Sequence, residues 1–244
     1  MQVLNLESGS PFSMGKGKNW SVLNPDVGAE HITLNHAVHS PGHEFTQHLH
    51  DDSEDVIIVL EGDVHLRQGD VYTPLSAGEA AFIPAAEVHG TVNRSERDVR
   101  MISFQLPPDL ALYRGERNIG EGKTPRPEQG AKSAVQIVQM SKGSPVFPAV
   151  PAVRNVFSPL KGTKQAVLDF LILQSGQMWQ YSNVNPESVI VVIEGKASVA
   201  SAGTELGLSR FDVLFLKGEQ SIAVMQTGAA DAVLLCCSAA APPE

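Results

Sequence analysis

Short apolar runs broken by glycine turns recur along this chain, and they recur twice in the same order. VIIVLEGDVHL (56–66) reads as a strand, a Glu-Gly turn and a second strand, and VIVVIEGKASV (189–199) repeats it 133 positions later. At that offset AGEAAFIP (77–84) falls on RFDVLFLK (210–217), and RDVRMISFQLPP (97–108) falls on ADAVLLCCSAAAPP (230–243) with a small length difference at its end. Upstream, ITLNHAVHSPGHEF (32–45) matches AVLDFLILQSGQMW (166–179) with a one-residue slip. A period this long marks duplicated domains rather than solenoid units. Short strands with turn signals roughly every 8–12 residues predict an all-β sandwich or barrel. Closing each copy into a barrel hides its sheet edges and leaves an interior reached by every second residue of each strand. Helix signals are scarce; PDLALYRGE (108–116) offers one turn or two.

The polar, Gly- and Pro-rich stretch RGERNIGEGKTPRPEQGAKSA (114–134) reads as an exposed linker. SPVFPAVPAV (144–153) carries prolines 145, 148 and 151, which bar a helix and predict an extended arm lying on the other module. The expected organisation is a first module over 1–115, a linker over 116–143 and a second module over 144–244. A net charge of −9 argues against nucleic acid, because neutralising phosphates needs a basic stripe. No apolar run reaches the length of a membrane-spanning helix, and MQVLNLESGSPF lacks the regions of a signal peptide, so the expected setting is the cytoplasm, with no membrane partner. Cys236 and Cys237 are adjacent; neighbours in a strand point to opposite faces, so they read as packed thiols rather than a bridge.

The chemistry is confined to the first copy. All eight histidines lie between His31 and His89. His48 and His50 project to one face of a strand, about 7 Å apart along it. Glu54 follows past the turn LHDDS, and His89 follows IPAAEV, where Pro84 ends another strand. Three imidazoles and a carboxylate suit one divalent transition ion among Fe, Mn, Zn and Ni, and leave two positions of an octahedral ion open, as a catalytic site requires. His36 has opposite parity to His31 and His39, so these three cannot all face one site. In the second copy His48 and His50 fall on Ser182 and Val184 or on Tyr181 and Asn183, depending on the slip, and His89 falls on Ile222. Of the four ligands only Glu54 keeps a like residue there, Glu187, and one carboxylate cannot hold a transition metal well.

The segments G42-HEFTQ-H48-L-H50-DDS-E54-DVIIVLE-G62 and G78-EAAFI-P84-A-A86-EV-H89-GTV-N93 resemble the two motifs of the cupins, and the doubled chain resembles a bicupin. Two departures stand out. Ala86 occupies a glycine position of the second motif. Seven residues rather than six separate Glu54 from Gly62, which puts Asp55 in strict register with the glycine; Glu54 is the expected ligand and Asp55 the alternative. The resemblance implies two tandem double-stranded β-helix (jelly-roll) barrels. It also implies a built-in pseudo-dimer in which the second module packs against the first, with a homodimer as a further assembly.

Cupins include dioxygenases, isomerases, decarboxylases, hydrolases and non-enzymatic binders, so the fold leaves the reaction open. The expected activity is a dioxygenase-type oxidoreductase acting on a small oxygenated molecule, with Fe(II) as the favoured metal. The alternatives are an isomerase or lyase acting on a sugar or keto acid, and a small-molecule-binding or regulatory bicupin. Expected substrate contacts are apolar walls from Ile57, Val59, Phe82 and Phe104, an Arg100 clamp for a carboxylate, and a polar contact from Gln47. For the second module the alternative is a metal-free effector pocket lined by Met178, Trp179 and Tyr181, against core packing for Trp179.

Overall fold

The computed structural model describes residues 1–110, 134–146 and 152–240. Most of the 116–143 linker and the turn expected over 108–116 therefore lie outside the described residues. The chain divides into two units, Ser10–Gln139 and Met1–Gly9 together with the chain from Met140 on. In each, a seven-stranded sheet faces a four-stranded one, and the two units match strand for strand. In the first, the large sheet runs Gln136–Gln139, Glu79–Ile83, Glu54–Glu61, Val99–Leu106, Thr33–His39, Lys18–Leu23, Ser10–Phe12. Its small sheet runs Glu44–His48, His89–Val92, Asp63–Gln68, Val71–Ser76. In the second, the large sheet runs Gln2–Asn5, Asp212–Lys217, Glu187–Glu194, Ala232–Ala239, Ala166–Leu173, Ala152–Phe157, Ser144–Pro145. Its small sheet runs Met178–Asn183, Gln220–Gln226, Lys196–Ser201, Thr204–Ser209. These are two tandem jelly-roll barrels, the fold that the motif resemblance implies.

The boundaries differ from those expected, because the two halves exchange their leading strands. Gln2–Asn5 pairs with Asp212–Lys217 in the second unit, while Gln136–Gln139, inside the expected linker, pairs with Glu79–Ile83 in the first. The signal was in the sequence: QVLNLESGSP (2–11) aligns with QIVQMSKGSP (136–145), 134 positions on. Each such strand covers a sheet edge that would otherwise present unpaired N–H and C=O groups. Leu6 anchors the first one, fully buried, with its N–H donating to the Phe211 carbonyl at 2.9 Å. The expected arm over 144–153 is also corrected: Ser144–Pro145 pairs with Ala152–Phe157 of its own unit, and 147–151 lie outside the described residues.

The repeat is exact where the cores form. Among the described residues, one core cluster of the first unit comprises nine buried side chains, and each has a counterpart 133 positions on in the second unit's core, as Ile57 has Ile190 and Met101 has Leu234. Gly62 and Gly195 are one such matched pair of turns, both at positive φ. A Cβ on Gly62 would stand 2.8 Å from the Asp98 carbonyl and one on Gly195 2.2 Å from that of Asp231, so only glycine fits. Cys236 and Cys237 are buried free thiols, as expected. Among the described residues no helix is long and apolar enough to cross a membrane.

Candidate metal centre

His48 closes strand Glu44–His48 and His89 opens strand His89–Val92; the two are direct cross-strand partners. Their ring centroids lie 4.4 Å apart, and His50, just past the strand, is 4.8 Å from His48 and 5.4 Å from His89. Pairing shifts by one residue between His89 and Thr91, so a bulge sits immediately before His48. That bulge is the one-residue slip of the repeat. The second unit pairs without it, Tyr181 with Ile222 and Trp179 with Val224, which places Tyr181 and Asn183 at the positions of His48 and His50. Bulges beside sites re-aim side chains, and this one turns His48 inward. Ala86 takes the left-handed conformation (φ 65°) its glycine position demands, and its N–H donates to the His50 carbonyl at 2.6 Å.

The carboxylate that joins the imidazoles is Asp55, not Glu54. Potential donor atoms of His48, His50, Asp55 and His89 all lie within 4.8 Å of one another, and Asp55 Oδ2 is 3.2 Å from His89 Nε2. Strand parity is the reason. Asp55 shares a face with Ile57 and Val59, which point into the barrel core, whereas Glu54 shares the opposite face with Val56 and Ile58. The repeat carried the discriminating signal in reverse: Glu54 and Glu187 match because both sit off the barrel interior, while Asp55 becomes Ser188 where the site is lost.

The surroundings fit a transition metal. The Nδ1–H groups of His48 and His89 donate to the carbonyls of Thr46 (2.8 Å) and Glu87 (3.0 Å), which leaves each Nε2 lone pair free to face the cluster. His50 lies against the Gln105 amide, whose Nε2 is 3.0 Å from both ring nitrogens, and 3.4 Å from Asp109 Oδ2. The Gln105 oxygen is itself fixed by the Asp109 N–H at 2.8 Å. His48 is held well below the usual histidine range, first by burial and then by His89 and His50, against a smaller opposing effect of the Thr46 hydrogen bond. It is therefore neutral at neutral pH, the form that binds metal. Asp55 Oδ1 is buried without a hydrogen-bond partner. Two ligands bound at about 2.1 Å on adjacent octahedral positions stand about 3 Å apart, close to the Asp55–His89 separation.

The cluster opens into a cavity of about 360 Å³. Of the expected apolar walls Ile57 lines it; Val59 lies deeper in the core, and Phe82 and Phe104 are buried but do not line it. Met101, Phe45, Phe12 and Met14 supply the other apolar surface, a contribution that adjacent-strand pairing, not sequence spacing, brings together. The expected polar contacts are also corrected. Gln47, opposite in parity to His48, accepts the Gly69 N–H at 2.6 Å. Arg100 points away from the interior, with Nη1 3.0 Å from His36 Nε2 and Nε 3.4 Å from Glu61, and His36 stacks on Trp20.

The second barrel is filled where the first is hollow. Val153, Leu173, Ile222, Val224 and Cys236 join its core at the positions of Asn19, His39, His89, Thr91 and Ser103. Trp179 packs in the same core, while Met178 is exposed. At the counterpart of the metal cluster a closed hydrogen-bonded group stands instead. The Tyr181 hydroxyl is 2.9 Å from Ser188 Oγ and 3.1 Å from Ser238 Oγ, and Ser188 donates to Asn183 Oδ1 at 2.8 Å.

The cupin domain family model matches residues 35–105. Among characterised proteins, the tetracenomycin polyketide synthase protein TcmJ of Streptomyces glaucescens is 29% identical over 104 residues, 42% of this chain and 69% of that protein. Polyketide synthase CurC of Streptomyces cyaneus is 28% identical over 151 residues, 61% of this chain and 95% of its own. Among solved structures, the oxalate decarboxylase of Bacillus subtilis, described for its Mn(II) centres, superposes with TM-score 0.74 at 13% identity, covering 100% of this chain and 78% of that one. A putative glyoxylate-induced protein of Pseudomonas aeruginosa gives TM-score 0.73 at 15% identity, covering 94% and 84%.

Proposed function

We propose, from the cupin-domain match over residues 35–105 and the barrel that surrounds it, that this chain is a cupin and a metal-dependent enzyme acting on a small oxygenated molecule. Its Ser10–Gln139 unit would hold one divalent transition ion through His48, His50, His89 and Asp55. The observation that carries the reading is the convergence of these four groups, with an unpartnered oxygen of Asp55, at the inner end of a cavity. An ion bound there would act as a Lewis acid on substrate oxygens and, if Fe(II), would support dioxygenase chemistry with O₂ as co-substrate.

The protein's own residues do the remaining work. Thr46 and Glu87 lock two imidazoles in one tautomer, and Gln105 and Asp109 brace the third. Ile57, Phe45 and Met101 keep the inner cavity apolar, which strengthens every polar contact made within it. The second barrel, with side chains packed at the ligand positions, contributes no metal ligand of its own among the described residues.

Metal analysis of the protein from its own host, followed by oxygen-electrode assays of the Fe(II)-loaded protein against catechols, gentisate-like acids and β-diketones, tests the dioxygenase reading. Substrate-dependent oxygen uptake supports it. The fold likeness to a Mn(II) decarboxylase favours a second reading, a lyase or isomerase, for which the same samples turn over substrate with no oxygen consumed. Failure of His48→Ala and His50→Ala to lose metal would reject the site itself.

A further inference from the structure

Among the described residues, no lysine or arginine lines the cavity. Its charged outer lining includes Asp26, and its walls are Phe12, Met14, Phe45, Ile57 and Met101. Beside these, in the large sheet, runs a polar row that continues from Ile57: Ser103, Asn35 and Ser21 are cross-strand neighbours on three adjacent strands, and all three line the cavity. Within that row Asn35 Oδ1 is buried with no hydrogen-bond partner. An acceptor left unpaired in a ligand cavity costs free energy until something donates to it.

From these features we infer that the cavity selects a neutral or singly charged, apolar-bodied, hydroxylated compound of ring size, whose far hydroxyl donates to Asn35 Oδ1, and that it rejects dicarboxylates. The charge limit follows from the residues. A divalent ion held by the Asp55 carboxylate, with the Asp109 carboxylate behind His50, leaves at most one surplus positive charge, enough for no more than one anionic oxygen at the inner end. A second carboxylate would stand against Phe, Met and Asn side chains with no cation to meet it, and burying an unpaired charge is costly. Arg100, which could have supplied the cation, points the other way. Discrimination by hydroxyl follows too, because a site built to pair one polar group penalises the analogue that lacks it. Only the charge limit at the inner end rests on the metal reading; the apolar walls and the Asn35 acceptor stand without it.

A matched set of naphthalenes tests the inference: 2,6-dihydroxynaphthalene, 2-naphthol and naphthalene-2,6-dicarboxylate, titrated by calorimetry into Mn(II)-loaded and metal-free full-length protein whose metal content is measured. The diol is expected to bind at least tenfold more tightly than the dicarboxylate in both forms, and several-fold more tightly than the naphthol. Asn35→Leu should abolish the gap between diol and naphthol. Asn35→Asp, which keeps an acceptor in the same volume, should preserve that gap and weaken the dicarboxylate further. Dicarboxylate binding equal to or tighter than diol binding overturns the inference while leaving the metal reading intact. Protein that takes up no metal yet keeps the order of the three probes overturns the metal reading and supports the inference. No binding by any probe, or a gap unchanged in Asn35→Leu, counts against it.

Discussion

Replacing Asp55 by Asn should make the metal-free protein more stable and reduce the stability that metal adds. Asp55 is 6% exposed; its Oδ1 has no partner, and its Oδ2 lies 3.2 Å from His89 Nε2. His89 Nδ1–H donates to the Glu87 carbonyl, so a neutral His89 ring offers Asp55 Oδ2 a lone pair at Nε2 and no donor. An unsatisfied buried group of this kind costs about 1–3 kcal/mol. An asparagine amide has nearly the same shape and can donate to His89 Nε2, so Asp55→Asn should recover about that amount, or a few degrees in Tm. With metal present at 100 times its dissociation constant the wild type gains about 2.7 kcal/mol. A variant whose affinity has fallen about 100-fold gains only about 0.4 kcal/mol under the same conditions. Adding metal should therefore shift the balance by about 2.3 kcal/mol towards the wild type, and the stability order inverts wherever Asp55→Asn has recovered less than that. Differential scanning calorimetry with and without Mn(II), on samples whose bound metal is quantified, reads both halves. Glu54→Gln is the control: it should lower stability in both states and leave metal affinity unchanged. An Asp55→Asn protein that is less stable without metal, yet binds it as the wild type does, would refute the reasoning.

Three other outcomes are expected. Leu6→Ala, in the exchanged N-terminal strand, should cost about 2–5 kcal/mol of stability in the second unit, read by denaturant titration, with metal content unchanged; a loss below about 0.5 kcal/mol would show that the strand is not anchored there. Tyr181→Phe leaves the buried Ser188 and Ser238 short of a partner and should destabilise by about 1–3 kcal/mol without altering bound metal; a drop in metal content would mean the second barrel does hold an ion. Burial, helped by the nearby His43, holds His39 down at about 4 against 6.5 in the unfolded chain. The unfolded state thus takes up a proton first as pH falls, so His39 favours folding fully above about pH 6.5 and loses that contribution between 6.5 and 4, by up to about 3 kcal/mol. Metal-free His39→Gln should show a flatter stability profile than the wild type across that window, and equal slopes would dismiss the assignment.

The sequence by itself determined the two-barrel architecture and the unit that carries the chemistry. Apolar runs, glycine turns and a long repeat are local properties, and strand alternation turns them directly into buried and exposed faces. The three histidines were legible for the same reason, since residues two apart on a strand share a face and two motifs at the right distance bring strands together. What failed in the sequence reading lay at points where parity is set by pairing rather than by spacing. Glu54 and Asp55 are adjacent, so one step of register decides which enters the barrel, and a bulge before His48 supplies such a step nearby. Gln47, Arg100 and Phe104 were placed in the cavity by proximity along the chain and lie off it by the same alternation. Only the tertiary structure decided which barrel receives each leading strand, because strand exchange is a choice between two equivalent sheet edges. Only it decided that one barrel is hollow and the other full, because a cavity is the volume left after side chains from many strands have met.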